Sequence, residues 1–313
     1  MKMSISGIII NLVTSIINLI DAIITNTHGN QLSLGGRSQS SAVAVLIVIV
    51  VLLVVFFVFM LYFRKLANKR LISYREFSKF ANLTKISYYK IHDLYINRQL
   101  TKQHLDDERA NVIIGALDCL CNLFRSIVGC QVRSCIKILE CDGKDVFDSS
   151  LRLTQDNARV VTLARSRNSE NLPDDANKPK KVAENSDFFE ILFGGKKCFY
   201  EGNLPKYKRI LKKYGKDYLN TTEHWENYYK ATIVVPICVD GDYISQRNES
   251  QMGGEKKYFI NGFLCVDSMS TCAFKTRGSK ANMTIVNTFA DGLYTYLKYC
   301  RFYESGLYKC NIA

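Results

Sequence analysis

The feature that most constrains this chain is the run Ala42–Phe63 (AVAVLIVIVVLLVVFFVFMLYF), 22 residues without a charge or a proline. As a helix it rises about 33 Å, which matches a hydrocarbon core about 30 Å thick, so the run predicts a transmembrane span from Ala42 to Phe63. Tyr62 and Phe63 close it, and Arg64, Lys65, Lys69 and Arg70 follow as the aromatic and basic stop expected at a cytoplasmic interface. Residues 1–63 hold only Lys2, Asp21 and Arg37 as charges, whereas residues 64–104 hold ten Lys or Arg against two acids, in a chain of net charge +13. The positive excess therefore sits mainly beside the span, where attraction to anionic lipid accounts for it. This makes a lipid bilayer the expected partner and argues against nucleic acid. The expected location is the cell membrane, with the C-terminal domain cytosolic.

Residues 1–41 contain a second apolar segment, Ile5 to Thr25. On a helical projection Ser4, Gly7, Asn11, Thr14, Ser15, Asn18, Asp21, Ala22 and Thr25 gather on one side, and the Ile, Leu and Val residues occupy the rest. Three readings compete: a second spanning helix whose polar stripe packs on the first or on copies of itself, a helix lying in the outer interface, and a cleaved signal peptide. No small-x-small cleavage pattern precedes Thr27, which weighs against the last. The expectation is thus one or two N-terminal transmembrane helices, with residues 26–41 as a short external loop if two.

Residues 64–104 contain no glycine or proline and predict a basic helical connector. Phe77, Phe80, Leu83, Ile86, Ile91, Leu94 and Tyr95 recur too irregularly for a coiled coil, so a solvated helix near lipid is preferred over a dimeric signalling helix. From residue 105 to 313 the pattern reads as one α+β domain with a central antiparallel sheet and flanking helices. Its expected elements are a helix over 107–128, strands at 134–141 and 158–164, and a short helix at 187–193 before Gly194 and Gly195. Strands at 231–239 and 261–267 then bound a flexible loop, and a last helix runs over 283–303, weakened by Gly292.

This order resembles a GAF domain, the sensory fold related to PAS, over roughly 107–303. The anchors are Thr232-Ile233-Val234-Val235-Pro236-Ile237 and Gly262-Phe263-Leu264-Cys265-Val266-Asp267-Ser268, followed by Phe274 and the last helix. They read as core, carrying no chemistry of their own. Cyclic-nucleotide GAF modules place an Asn-Lys pair, a Phe and an Asp-Glu pair where this chain has Asp267-Ser268, Phe274 and Gly278-Ser279, so the resemblance does not imply ordinary cAMP or cGMP binding.

The chemistry-bearing residues are sparse. Eleven cysteines have no paired CxxC spacing, so structural zinc is not expected and most read as small core residues. Thiol-dependent free-methionine-sulfoxide reductases share the GAF fold, which makes Cys198, Cys238 and Cys265 candidate nucleophiles in a minor reading. His92, His104 and His224 are scattered, and Gly194-Gly195-Lys196-Lys197 lacks the first half of a phosphate loop. No catalytic residue, metal or cofactor is expected, and the chain is read as a non-enzyme. The segment 199–229 is the expected ligand site: Lys206, Lys208, Arg209 and Lys212, with Tyr207 and Trp225, set cations beside aromatic faces. In the resembled family this region covers the ligand pocket, which implies a small-molecule ligand, nucleotide-like or otherwise anionic. A solvated basic helix facing the membrane explains the same residues equally well.

The chain ends ten residues past its last expected helix, so the expected output is the membrane segment or a partner protein. The leading expectation is a membrane-anchored GAF-like sensor that binds a small ligand, is a homo-oligomer, and acts as a receptor or as a membrane-disrupting effector. The rival is a non-catalytic membrane scaffold whose degenerate GAF-like domain serves dimerisation or protein binding.

Overall fold

The computed structural model describes residues 37–141, 143–145, 153–169, 178–238, 260–271, 273–274 and 279–310. Ahead of these it describes six helical positions, Thr14, Ser15, Asn18, Asp21, Ala22 and Thr25. The expected loop over 240–257 and most of Ile5–Thr25 lie outside the described residues. Contacts divide the chain into two compact units, Met1–Arg70 and Leu71–Ala313.

In the first unit the six isolated positions are all exposed, and the Thr25 hydroxyl donates to the Asp21 carbonyl at 2.6 Å. They belong to the polar stripe read from the sequence. Helix α1, Arg37–Ile96, begins in this unit. Between Ile47 and Phe63 its large apolar side chains are mostly exposed, Leu53 at 61%. From Ile47 onward α1 is long and apolar enough to cross a membrane by length and composition. Arg64, Lys65 and Arg70 are exposed on the turns after Phe63, and Lys69 is half-buried.

In the second unit the remainder of α1 is not the solvated connector expected. Phe80 and Ile91 are buried, because the apolar side of residues 77–95 meets the last helix of the domain, α5, Ser279–Cys310. Phe80 stacks on Phe289 at 4.7 Å, and Ser87 shares a 2.7 Å hydrogen bond with the Tyr296 hydroxyl. Gly292 belongs to this contact: a Cβ there would come within 2.7 Å of the Phe80 ring. The expectation that Gly292 weakens α5 is therefore corrected, since the helix runs through it and the missing side chain admits Phe80.

Helix α2, Lys102–Val128, starts earlier than the sequence pattern suggests because the Thr101 hydroxyl caps it, accepting from the His104 amide. It ends at Gly129, whose φ of 71° suits glycine. Its apolar face is buried in the domain core, so although α2 also passes a test of length and hydropathy for spanning, half of the relevant window is buried.

The sheet comprises β1 (Arg133–Cys141), β2 (Lys144–Asp145), β3 (Ala158–Arg165), β4 (Lys180–Lys181), β5 (Phe199–Glu201), β6 (Ala231–Ile237) and β7 (Gly262–Ser268). Its order is β4-β3-β1-β7-β6-β5, with β2 on the end of β1, and every pairing is antiparallel. The α+β class and the central positions of β6 and β7 agree with the sequence reading. Pro236 is tolerated in β6 because β5 pairs only with Thr232–Val234, leaving the far end of β6 an edge on that side. One face carries Ile136, Ile138, Ile233, Val235, Leu264 and Val266 against α2 and α5. The other is covered by α3 (Ser186–Leu192), α4 (Leu204–Lys213) and the segment around Trp225.

Candidate functional site

Side chains alternate along a strand, so the covered second face takes every other residue of β1, β6 and β7. The register arranges these into rows. Arg133 lies opposite Asp267, which lies opposite Thr232; Arg165, Cys135, Cys265 and Val234 form the next row; Thr162, Lys137 and Phe263 form the third. All three rows thus put charged groups, and the second also thiols, where the opposite face has aliphatic side chains.

Over these rows lies a cavity of about 90 Å³. The sheet supplies its floor through Arg133, Cys135, Lys137, Val160, Arg165, Thr232, Cys265 and Asp267. The roof is Asn185, Asp187, Phe188, Asn220–Thr222, Tyr228 and Tyr229, with Lys180 at the side. The roof is tied together locally. Asn185 accepts hydrogen bonds from the amide and hydroxyl of Thr221, at 3.4 and 3.2 Å, and the Leu219 amide donates to the Ser186 hydroxyl at 2.8 Å.

Four cations line the cavity against two carboxylates. Lys137 donates to Thr162 at 3.2 Å and lies 5.9 Å from the centre of the Phe188 ring, while Arg165 donates to the same Thr162 hydroxyl. Arg133 donates to the Tyr228 carbonyl at 2.8 Å. Asp187 is buried and Asp267 half-buried, and desolvation pushes both carboxyls up. Asp187 reaches about 7, opposed by the Phe188 amide it accepts from, and Asp267 rises less freely because Thr232 donates to it at 2.6 Å. Near neutral pH the cavity therefore has a positive balance, which suits a small anion with several acceptors.

The residues that sequence reasoning favoured lie elsewhere. Lys206, Arg209 and Lys212 are exposed on α4. Lys208 pairs with Glu226 at 2.8 Å and lies over Trp225, 5.5 Å from the ring centre. Tyr207 donates to Glu190 at 3.3 Å. Trp225 is buried among Tyr218 and Tyr229. The structure brings Lys208 and Trp225 together but places none of these six among the residues lining the cavity. The anchors of β6 and β7, read as carrying no chemistry, instead supply Thr232, Cys265 and Asp267 to it. The signal available in the sequence was the alternation Arg133-x-Cys135-x-Lys137 and Cys265-x-Asp267 in strands buried on both faces.

Of the candidate nucleophiles, Cys198 is half-buried beside Met283, Cys238 is buried at the end of β6, and only Cys265 lines the cavity. Among the described residues no three His, Cys, Asp or Glu side chains are placed to hold a metal ion. His92 is bonded to the Tyr303 hydroxyl and His104 to the Gln99 carbonyl.

No protein-family model matches this chain, and no curated protein matches its sequence. Among solved structures it is similar to the GAF domain from Acinetobacter phosphoenolpyruvate-protein phosphotransferase. The identity is 15% and the TM-score 0.35, over 71% of this chain and 93% of that one.

Proposed function

We propose that this is a membrane-anchored sensory protein whose cytosolic GAF-like domain binds a small anion in the cavity between the sheet and its roof. The observation that carries the reading is Arg133, Lys137, Arg165 and Lys180 around one cavity, with Asp187 held largely neutral at mildly acid pH. A volume of about 90 Å³ suits a compact carboxylate, phosphate or sulfate group better than a whole nucleotide, for which pockets of about 300 Å³ or more are usual. The GAF-like assignment is supported by the antiparallel sheet, with β7 at its middle and β6 beside it, and by long helices on one face.

The bilayer enters through residues 42–63 of α1, whose exposed Leu, Val and Phe side chains need an apolar surround. Occupancy of the cavity reaches the membrane by altering how residues 77–95 pack on α5, a shift between two arrangements that the ligand binds unequally. Toward the anion the function is recognition, and the output is membrane disruption or a partner protein. A second reading, a scaffold that dimerises or binds protein through this domain, is favoured by exposed Ile86 and Tyr89 on α1 and Phe302 on α5.

Native mass spectrometry of the detergent-purified full chain tests the first reading. A co-purifying small anion that Lys137→Met loses supports it. An empty dimer that also fails to take up sulfate transfers the case to the scaffold.

A further inference from the structure

We infer that Cys135 and Cys265 form a redox-active dithiol on the cavity floor, which a small peroxide entering the cavity oxidises to a cross-strand disulfide. The two residues are register partners in β1 and β7. Directly opposite residues of antiparallel strands have Cα atoms about 4.5–5.5 Å apart, within the roughly 4.4–6.8 Å that a disulfide spans. Both side chains point to the cavity face, and although they are only 5% and 3% exposed, both line its open space. Closing the bond needs the Cβ atoms about 4 Å apart, slightly nearer than the roughly 4.5–5.5 Å of directly opposite residues.

The surroundings divide the labour between the thiols. Arg165 lies opposite Cys135 on β3, and Lys137 follows two residues along β1. The Cys265 thiol and these two cations draw the Cys135 thiol down despite its burial, while Cys265 is pushed up. Burial instead raises Cys119, Cys121, Cys198 and Cys300. With Arg165 and Lys137 beside Cys135, and Asp267 two residues from Cys265 on its own strand, Cys135 is the nucleophile and Cys265 the resolving thiol.

In the first step the Cys135 thiolate attacks one peroxide oxygen. An S–O bond forms, the O–O bond breaks, and the departing oxygen leaves as water or alcohol after taking a proton. Cys135, oxidised by two electrons, is then a sulfenic acid. Cys265 loses its proton and attacks that sulfur, the S–O bond breaks, and a second water leaves as the S–S bond forms. A dithiol reductant restores both thiols by exchange. The proposal goes beyond anion recognition, and the two stand or fall separately, since sulfate affinity is read on the reduced chain alone.

The test is peptide mapping of the full chain after reduction with dithiothreitol, desalting, treatment with one equivalent of hydrogen peroxide, and blocking of the remaining thiols. The linked peptides carrying Cys135 and Cys265 should accumulate about tenfold faster than oxidation at Cys130 or Cys198, and dithiothreitol should erase them. In Cys265→Ser the same dose should leave a sulfenic acid at Cys135 that dimedone traps. If Cys130 or Cys198 is oxidised first, or Cys135 survives as a thiol, the proposal is overturned. Mapping of the unaltered chain decides this even where the Ser variant folds poorly.

Discussion

The two faces of the sheet divide the labour of the domain. Along β1, Ile136 and Ile138 enter the core shared with α2 and α5, and the intervening Cys135 and Lys137 line the cavity. Along β7, Leu264 and Val266 take the first face and Cys265 and Asp267 the second. The polar strand residues buried on the first face, Ser134 and Ser268, donate to the Leu117 and Gln131 carbonyls and so are satisfied there. Burial is similar on both sides, but one face is closed by shape and the other leaves room for a ligand. Burial alone therefore does not tell a core strand from a site; the chemistry of alternate residues does.

The largest expected effect breaks the first face. Leu264→Ala removes a fully buried side chain from a packed layer, with an expected loss of about 2–5 kcal/mol in urea unfolding. A loss under 1 kcal/mol would mean that this face is not the stabilising one. Next comes Gly292, where any side chain meets the Phe80 ring held against Phe289. Gly292→Val should cost about 1–3 kcal/mol by overpacking, and Phe80→Leu in the same chain should restore part of it. No restoration would separate the cost from this helix contact.

The second face should show the opposite signature. Lys137→Met keeps the aliphatic stem, so stability should change by less than about 1 kcal/mol, while sulfate affinity measured by calorimetry falls about tenfold. Equal affinity in the variant would break the assignment of this face to binding.

What the sequence made legible follows the same division. Strands β1, β3, β6 and β7, with α2 and α5, are readable because their apolar periodicity is dictated by the packed face, where an error of one residue would expose a layer; the two- and three-residue strands β2, β4 and β5 are too short to carry such a pattern. The resemblance to GAF domains rested on the same core residues. The burial of residues 77–95 of α1 was not readable, since Phe80 and Ile91 have meaning only with Phe289 and Tyr296 beside them, some 200 residues later in sequence. The cavity was missed because its cations are spread over β1, β3 and β4, one or two to a strand, whereas α4 concentrates its own within one helix. Local density of charge is legible in a sequence, whereas spatial convergence is not.

A smaller effect sharpens the electrostatics of the cavity. Burial raises the Asp187 carboxyl from its ordinary value near 3.8 to about 7. The folded state therefore favours the neutral form: its contribution to stability is full below about pH 4 and is lost as pH rises through about 7. The added negative charge should also lower sulfate affinity several-fold between pH 6 and pH 8, with sulfate itself fully ionised throughout. Asp187→Asn should flatten both profiles, and a variant with the slope of the natural chain would remove Asp187 from the site.

The smallest expected effect compares the cavity with the basic helix. Arg209 and Lys212 are exposed on α4, and among the described residues the Arg209 side chain donates to the Pro205 carbonyl of its own helix, at 3.4 Å. Changing both to Ala should alter stability by less than about 0.5 kcal/mol, as for most surface substitutions. Sulfate affinity should stay within about twofold, the remainder coming from long-range attraction that 0.15 M salt largely screens. Lys208→Ala is a separate matter, because it also leaves Glu226 without its 2.8 Å partner and uncovers Trp225. If the Arg209 and Lys212 pair instead cost as much affinity as Lys137→Met, the ligand would sit on α4 beside Trp225, and the convergence of cations on the sheet would answer to some other anion.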